Sequence, residues 1–290
     1  MIKFSLPGYY RHKDLILFFL QLQQQTPEIF LPDRVIDSAY DFPCLTWNGG
    51  REYVVDRPLV ERDLVKMQGE LEALRCMGLK LRHTCTNSLI QGRYVKDKLC
   101  NFYLGNMEKE GDSVIVANPY LKQYIMDYYP KYSIINSTTL CLNNLEDFNN
   151  LSEKELTVLS YNYNNDNDFL AKLTHPENIE ILCAEGCRPN CPQRKDHYLS
   201  VSRANLYHDE PRFYCSYAGI HNFYLNLQTY PHMVTNERIN EMYAMGIENF
   251  KIAGRSIEGH CVLEIFLYYL IKPEYHNITR CEAIAGGVCR

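Results

Sequence analysis

Two kinds of apolar pattern alternate along the chain. Short runs rich in β-branched residues stand at Ile2–Leu6, Arg34–Tyr40, Leu79–Arg82, Ser113–Ala117, Tyr132–Ile135, Leu156–Tyr161, Asn178–Cys183 and Glu248–Ile252. Such runs, bounded by polar turns, are the signature of buried strands. Between them, apolar residues recur every three or four positions. Asp14–Gln25 carries Leu15, Phe18, Phe19 and Leu22 on one face, and Leu59–Met77 spaces Leu64, Met67, Leu71, Leu74 and Met77 as a helix would, with Gly78 as its stop. Tyr120–Tyr129, Asn164–Leu173 and Glu258–Ile271 also read as helical.

Eight strands, each leading into a helical stretch, is the count of a closed (β/α)8 barrel of the TIM type; an open doubly wound sheet is the alternative. No Gly/Ser linker, charge block or internal repeat divides the sequence, so residues 1–290 read as a single domain. Residues 196–245 hold no clear strand and read as an insertion or lid between strands seven and eight. Asn87, Asn118, Asn136, Ser137, Thr138, Asn162, Cys183 and Arg255 all follow the carboxyl end of a predicted strand, the face on which barrel active sites are built. Each Asn or Thr taken singly is more often a helix cap or a turn residue.

The densest chemistry lies in Ile181–Lys195, where Cys183, Cys187 and Cys191 fall four residues apart. Gly186, Pro189 and Pro192 make this a loop able to curl around one centre. Soft thiolates in such a row suit a 4Fe-4S cluster or zinc, and Cys215 is the nearest downstream thiol to supply a fourth ligand. Arg188, Arg194 and Lys195 outnumber Glu185 there and offset thiolate charge. Lys251 and Arg255 flank Gly254 after the last strand, where barrels commonly hold an anion; Lys251 paired with a barrel acid is the competing reading. Asn48-Gly-Gly-Arg51 is a second candidate anion nest. His197 reads as a ligand, a proton donor or a packing residue, with packing favoured, and His83 and Glu185 are strand-end acid/base candidates. The sequence contains no Gly-x-Ser-x-Gly, His-Glu-x-x-His or Gly-x4-Gly-Lys-Ser/Thr motif.

With 46% apolar residues the chain can bury a sizeable core, and a net charge of -5 gives no electrostatic footprint for nucleic acid. Twelve cysteines in a chain of this length, without a signal-peptide pattern, read as thiols of a reducing cytosol. Leu15–Leu20 and Val262–Ile271 are too short to span a bilayer.

Phe250-Lys-Ile-Ala-Gly-Arg255, the cysteine run ending in Cys191-Pro192 and the His197-Tyr198 pair together resemble the collagenase-like peptidase family U32. The resemblance covers most of the second half of the chain; the first half matches in strand rhythm. It implies a barrel with a 4Fe-4S cluster, oxygen-independent hydroxylation of an RNA base or a small anionic or aromatic substrate rather than proteolysis, and a related partner subunit. It also makes Cys44, in an early loop, a substitute for Cys183 or Cys215 as ligand, and Cys289 a weaker one. A non-catalytic module with a structural zinc-thiolate site is the alternative of a different class, and a peptidase is another.

Overall fold

The computed structural model describes residues 1–50, 58–207, 213, 215, 222–255 and 257–289. Eight parallel strands close into a barrel in the order β1-β2-β3-β4-β5-β6-β7-β8. They are β1 (Ile2–Pro7), β2 (Arg34–Asp41), β3 (Lys80–Cys85), β4 (Ser113–Val116), β5 (Ser133–Asn136), β6 (Leu156–Val158), β7 (Ile179–Cys183) and β8 (Asn249–Ile252). The helices are α1 (Lys13–Gln25), α2 (Glu61–Cys76), α3 (Lys98–Met107), α4 (Pro119–Tyr128), α5 (Leu145–Ser152), α6 (Asn167–Leu170), α7 (Arg194–Tyr207), α8 (Phe223–Thr229), α9 (Asn236–Ala244), α10 (Gly259–Leu270) and α11 (His276–Ala285). The (β/α)8 expectation therefore holds, and the open sheet does not. The β7–β8 connection carries α7, α8 and α9; within the predicted insertion, residues 208–212, 214 and 216–221 lie outside the described residues.

Three predicted elements differ. The sixth strand stops at Val158, because Tyr161–Tyr163 turns into a 3-10 segment, and the helix expected over 164–173 shrinks to α6 behind its Asp166 cap. The third strand runs on through Cys85, which places His83 inside the sheet rather than in the loop after it.

Alternation along each strand sorts side chains between two layers. The outer layer, packed under the helices, contains Phe4, Leu6, Ile36, Leu81, Val114, Ile134, Ile179, Ile181, Phe250 and Ile252. Burying each such side chain contributes roughly 1.5–3 kcal/mol. Two sets of side chains fill the barrel interior. Tyr40, Ile115, Ile135, Val158, Leu182 and Ala253 form an apolar layer. Beside it the interior is ionic: Glu180, fully buried, binds Arg82, and Lys251 lies 4.0 Å from the other Glu180 oxygen. Asp37 completes the set, 3.7 Å from Arg82.

The loops after β2 and β3 are locked together. Asn87 Nδ2 donates to the Thr46 and Ser202 carbonyls at 2.8 and 2.9 Å, and Asn87 N–H donates to Trp47 O. Fully buried Trp47 donates its indole N–H to Tyr94 O at 2.9 Å. Gly49 has to be glycine, since a Cβ there would lie 2.4 Å from Asn87 Cα. This clamp carries Gly50 to the barrel mouth.

Candidate functional site at the barrel mouth

Arg255, in the turn after β8, leans back across the mouth. Its Nη1 donates to Thr84 Oγ1 at 2.6 Å and lies 4.0 Å from Asp41 Oδ1, while its guanidinium carbon is 5.5 Å from the centre of the Tyr40 ring. Nη2 has no partner among the described residues. A Cβ built on Gly50 would sit 2.9 Å from this Nη2 and 3.0 Å from Thr86 Oγ1, so the two polar atoms converge beside a residue with no side chain. Thr86 is buried, and its hydroxyl is unpartnered among the described residues. One unspent N–H of a cation and one unspent hydroxyl converging in this way are what an oxyanion needs. Of the predicted nest 48–51, Gly50 thus lines the site, and Arg51 lies outside the described residues.

Beneath Arg255, Lys251 Nζ stands 4.0 Å from the same Tyr40 ring centre. Burial pushes its pKa down to about 7; Glu180 pulls it up, and Arg255 and Arg82 push it further down. Lys251 faces a barrel acid, Glu180, and touches the mouth through Tyr40 and Arg255.

The other side of the mouth is built on Arg194, the first residue of α7. Its Nη2 donates to Thr138 Oγ1 at 2.7 Å, Nη1 to Ser160 Oγ at 3.3 Å and Nε to Tyr198 Oη at 3.1 Å, and it stacks on Tyr161 at 4.3 Å. Glu185 lies beside it: its Oε1 accepts the Cys187 N–H at 3.0 Å, and its carbonyl meets His232 Nε2 at 2.8 Å. Burial lowers the pKa of His232, so its ring is neutral near pH 7 and Nε2 is the protonated, donating nitrogen.

The sequence-predicted thiols divide. Cys183 ends β7 with its side chain outward, in the layer of Ile181 and Ile252; it is fully buried, near Tyr269 of α10, and burial pushes its thiol pKa strongly up. Cys187 turns the opposite way and packs against the apolar layer at the mouth. Its pKa is raised by burial, lowered by a hydrogen bond with Tyr161, and raised again by Glu185 and by neighbouring Cys191. Cys215 is exposed, Cys44 is partly buried, and Cys289 packs against Gly259 at the start of α10. Among the described residues no three His, Cys, Asp or Glu side chains form a group able to hold a metal. The four-thiolate set that a 4Fe-4S cluster or zinc would take does not fit with Cys183 as a member. Of the predicted ligands, Cys187 and Cys191 are the pair brought near each other.

His197 lies on α7 with its ring stacked on Phe213, 4.7 Å between centres. His83 faces outward into a buried aromatic box of Tyr9, Tyr103 and Tyr132; its Nδ1 is 2.8 Å from Tyr9 Oη, and burial lowers its pKa to about 3. The strand-end asparagines are structural. Asn87 clamps loops, Asn118 caps α4, and Asn136 donates to Glu155 and Thr157. Ser137 accepts the Thr139 N–H and hydroxyl beside the mouth. At the amino-terminal face a further cavity of about 580 Å³ is lined by Lys3, Asp37, Lys80, Arg82, Glu155 and Asn249. Lys3, Lys80 and Arg82 there are already matched by Glu248, Asp37 and Glu180.

Comparison with solved structures places this architecture. The chain is similar to a U32 peptidase. That structure aligns over 88% of this chain and 93% of its own, with a TM-score of 0.54 and 12% identity, a likeness of fold. An O-GlcNAc hydrolase variant from Thermobaculum terrenum aligns over 98% of this chain and 62% of its own, at a TM-score of 0.38 and 11% identity. No family model matches the chain, and no curated protein matches it. No helix among the described residues is long and apolar enough to cross a membrane.

Proposed function

We propose that this U32-like barrel is an enzyme that takes a small anionic substrate into its carboxyl-terminal mouth, with Arg255 as the anchor. The observation that carries the reading is the convergence of Arg255 Nη2 and Thr86 Oγ1, both without partners among the described residues, beside Gly50. Thr84 and Asp41 fix the guanidinium from below, so an incoming carboxylate or phosphate meets a donor set that is already ordered. Among the described residues, Asp41 and Glu185 are carboxylates at the mouth placed to take or return a proton.

Oxygen-independent hydroxylation, on an RNA base or a small aromatic acid, is the chemistry that the family resemblance implies. A 4Fe-4S cluster or zinc in this chain would use Cys187 and Cys191, with further ligands from outside the described residues or from a related partner subunit. A reducing cytosol suits such thiols. Peptide hydrolysis draws its support from the name of the fold neighbour.

The test is calorimetric titration of the full chain, purified without oxygen, with inorganic phosphate and with hexanoate, alongside its iron, sulfide and zinc content. Wild type should bind these anions, and Arg255→Gln should weaken hexanoate at least tenfold with an unchanged melting temperature. Equal binding by the two proteins, or none by wild type, refutes the assignment.

A further inference from the structure

Two arginines, not one, stand over the apolar layer of the mouth. Tyr40 and Tyr161 both belong to that layer, together with Ile115, Ile135, Val158 and Leu182. Arg255 lies over the Tyr40 ring at 5.5 Å and Arg194 over the Tyr161 ring at 4.3 Å. The two arginines are held from different parts of the barrel rim. Arg255 is fixed by Thr84 at the end of β3 and by Asp41 at the end of β2, and Arg194 by Thr138 and Ser160 in the turns after β5 and β6. Gly50 and the Thr138–Thr139 pair bridge the gap, since the Gly50 Cβ position is 3.8 Å from Thr139 Cγ2.

Arg194 is the more unusual of the two. It is only 8% exposed, yet its hydrogen-bond partners are three hydroxyls and its stacking partners are tyrosine rings. Glu185 lies beside it and favours its charge, yet no carboxylate of a described residue comes within ion-pairing distance. A buried guanidinium without a paired anion is costly, and neutral hydroxyls orient the charge without neutralising it. The fold nonetheless spends a stacked tyrosine and residues from two other loops on holding it in place. That is the treatment expected of a group whose counter-ion arrives with a ligand.

We propose that Arg194 is a second anion anchor, set across the apolar layer from Arg255, so that the mouth takes a substrate with two acidic groups joined by an apolar body. This rests on the assignment of Arg255 as the first anchor. One acidic group lies against Arg255 and Thr86, the apolar body covers the Tyr40–Tyr161 layer, and the second acidic group meets the N–H groups of Arg194 that Thr138, Ser160 and Tyr198 leave unused. A rigid pair of cations then selects for separation between the two acids as well as for charge.

The experiment titrates the full chain with hexanoate and with a dicarboxylate series from succinate to suberate, and repeats this for Arg194→Gln, Arg194→Lys and Arg255→Gln. One dicarboxylate length should bind wild type at least tenfold more tightly than hexanoate. Arg194→Gln should erase that advantage while leaving hexanoate within about twofold, and Arg194→Lys, which keeps the charge, should retain part of it. If hexanoate binding depends on Arg255 but no dicarboxylate gains over it in wild type, the second anchor is refuted while the first stands. If Arg194→Gln weakens hexanoate and dicarboxylates alike, the residue is structural and the proposal also fails. Binding of neither class refutes both assignments. The wild-type length series decides the matter even where Arg194→Gln does not fold.

Discussion

Substituting Glu180 with glutamine tests whether the base of the site is a balanced ionic layer. Glu180 is fully buried, binds Arg82 directly and faces Lys251 at 4.0 Å, while Arg82 has a second carboxylate, Asp37, at 3.7 Å. Glu180→Gln preserves shape and removes the charge that compensates both cations. Removing one partner of a buried ion pair costs about 3–5 kcal/mol, because the other charge stays buried. That is a large share of the roughly 5–15 kcal/mol that stabilises a typical domain. The loss should depend on pH. Lys251 is held down to about 7 by burial against the pull of Glu180, whereas an exposed lysine titrates near 10.5. Between those values the unfolded chain binds the extra proton, so this residue's contribution makes stability rise with pH. Without Glu180 the folded-state pKa of Lys251 falls further, and the added penalty is present at pH 6 and fades by pH 9, where Lys251 is neutral in both proteins. Denaturant unfolding at the two pH values should therefore show a smaller destabilisation by Glu180→Gln at pH 9 than at pH 6. The double variant Glu180→Gln/Lys251→Met should recover part of the pH 6 loss. A penalty that is equal or larger at pH 9, or a double variant no more stable than the single one at pH 6, would refute the coupling.

Three further outcomes follow from the site. Gly50→Ala places a methyl group 2.9 Å from Arg255 Nη2 and 3.0 Å from Thr86 Oγ1, so it should weaken phosphate and hexanoate binding severalfold in calorimetry while shifting the melting temperature little, because both neighbours are side-chain ends able to move. Asn87→Ala strips two buried carbonyls and the Leu89 N–H of their partner and should cost about 2–4 kcal/mol in denaturant unfolding, at about 1–3 kcal/mol for each group left unsatisfied with partial rescue by water. Any iron, sulfide or zinc that the chain binds should survive Cys183→Ala and fall in Cys187→Ala; loss in the first variant alone would mean that the sulfur of Cys183 reaches the mouth after all.

The contrast between Arg255 and Arg194 shows what the sequence could and could not reveal about this site. Strand rhythm located all eight strands to within a few residues, because parallel strands buried on both faces stand out as apolar runs. Arg255 was legible for the same reason: it follows Gly254 directly after the last run. Arg194 sits among thiols that draw the eye to metal chemistry, and the residues that give it a role, Thr138 and Ser160, lie 56 and 34 positions away. Only closure of the barrel brings them together. The direction of Cys183 was within reach. In Ile179-Glu180-Ile181-Leu182-Cys183 the sulfur shares the parity of the two isoleucines and so faces the helices, while Glu180 and Leu182 face the interior. The same parity test marks Glu180 as a carboxylate inside an otherwise apolar strand, and Arg82 in β3 pairs in register with Tyr40 on the same inner face. Inner-face charges that are largely buried pair with one another. The Arg82–Glu180–Lys251 layer is thus a consequence of parity and closure. Its Lys251 lies against Tyr40, the ring on which Arg255 also rests, and so ties the stability of the barrel interior to the geometry of the anion anchor.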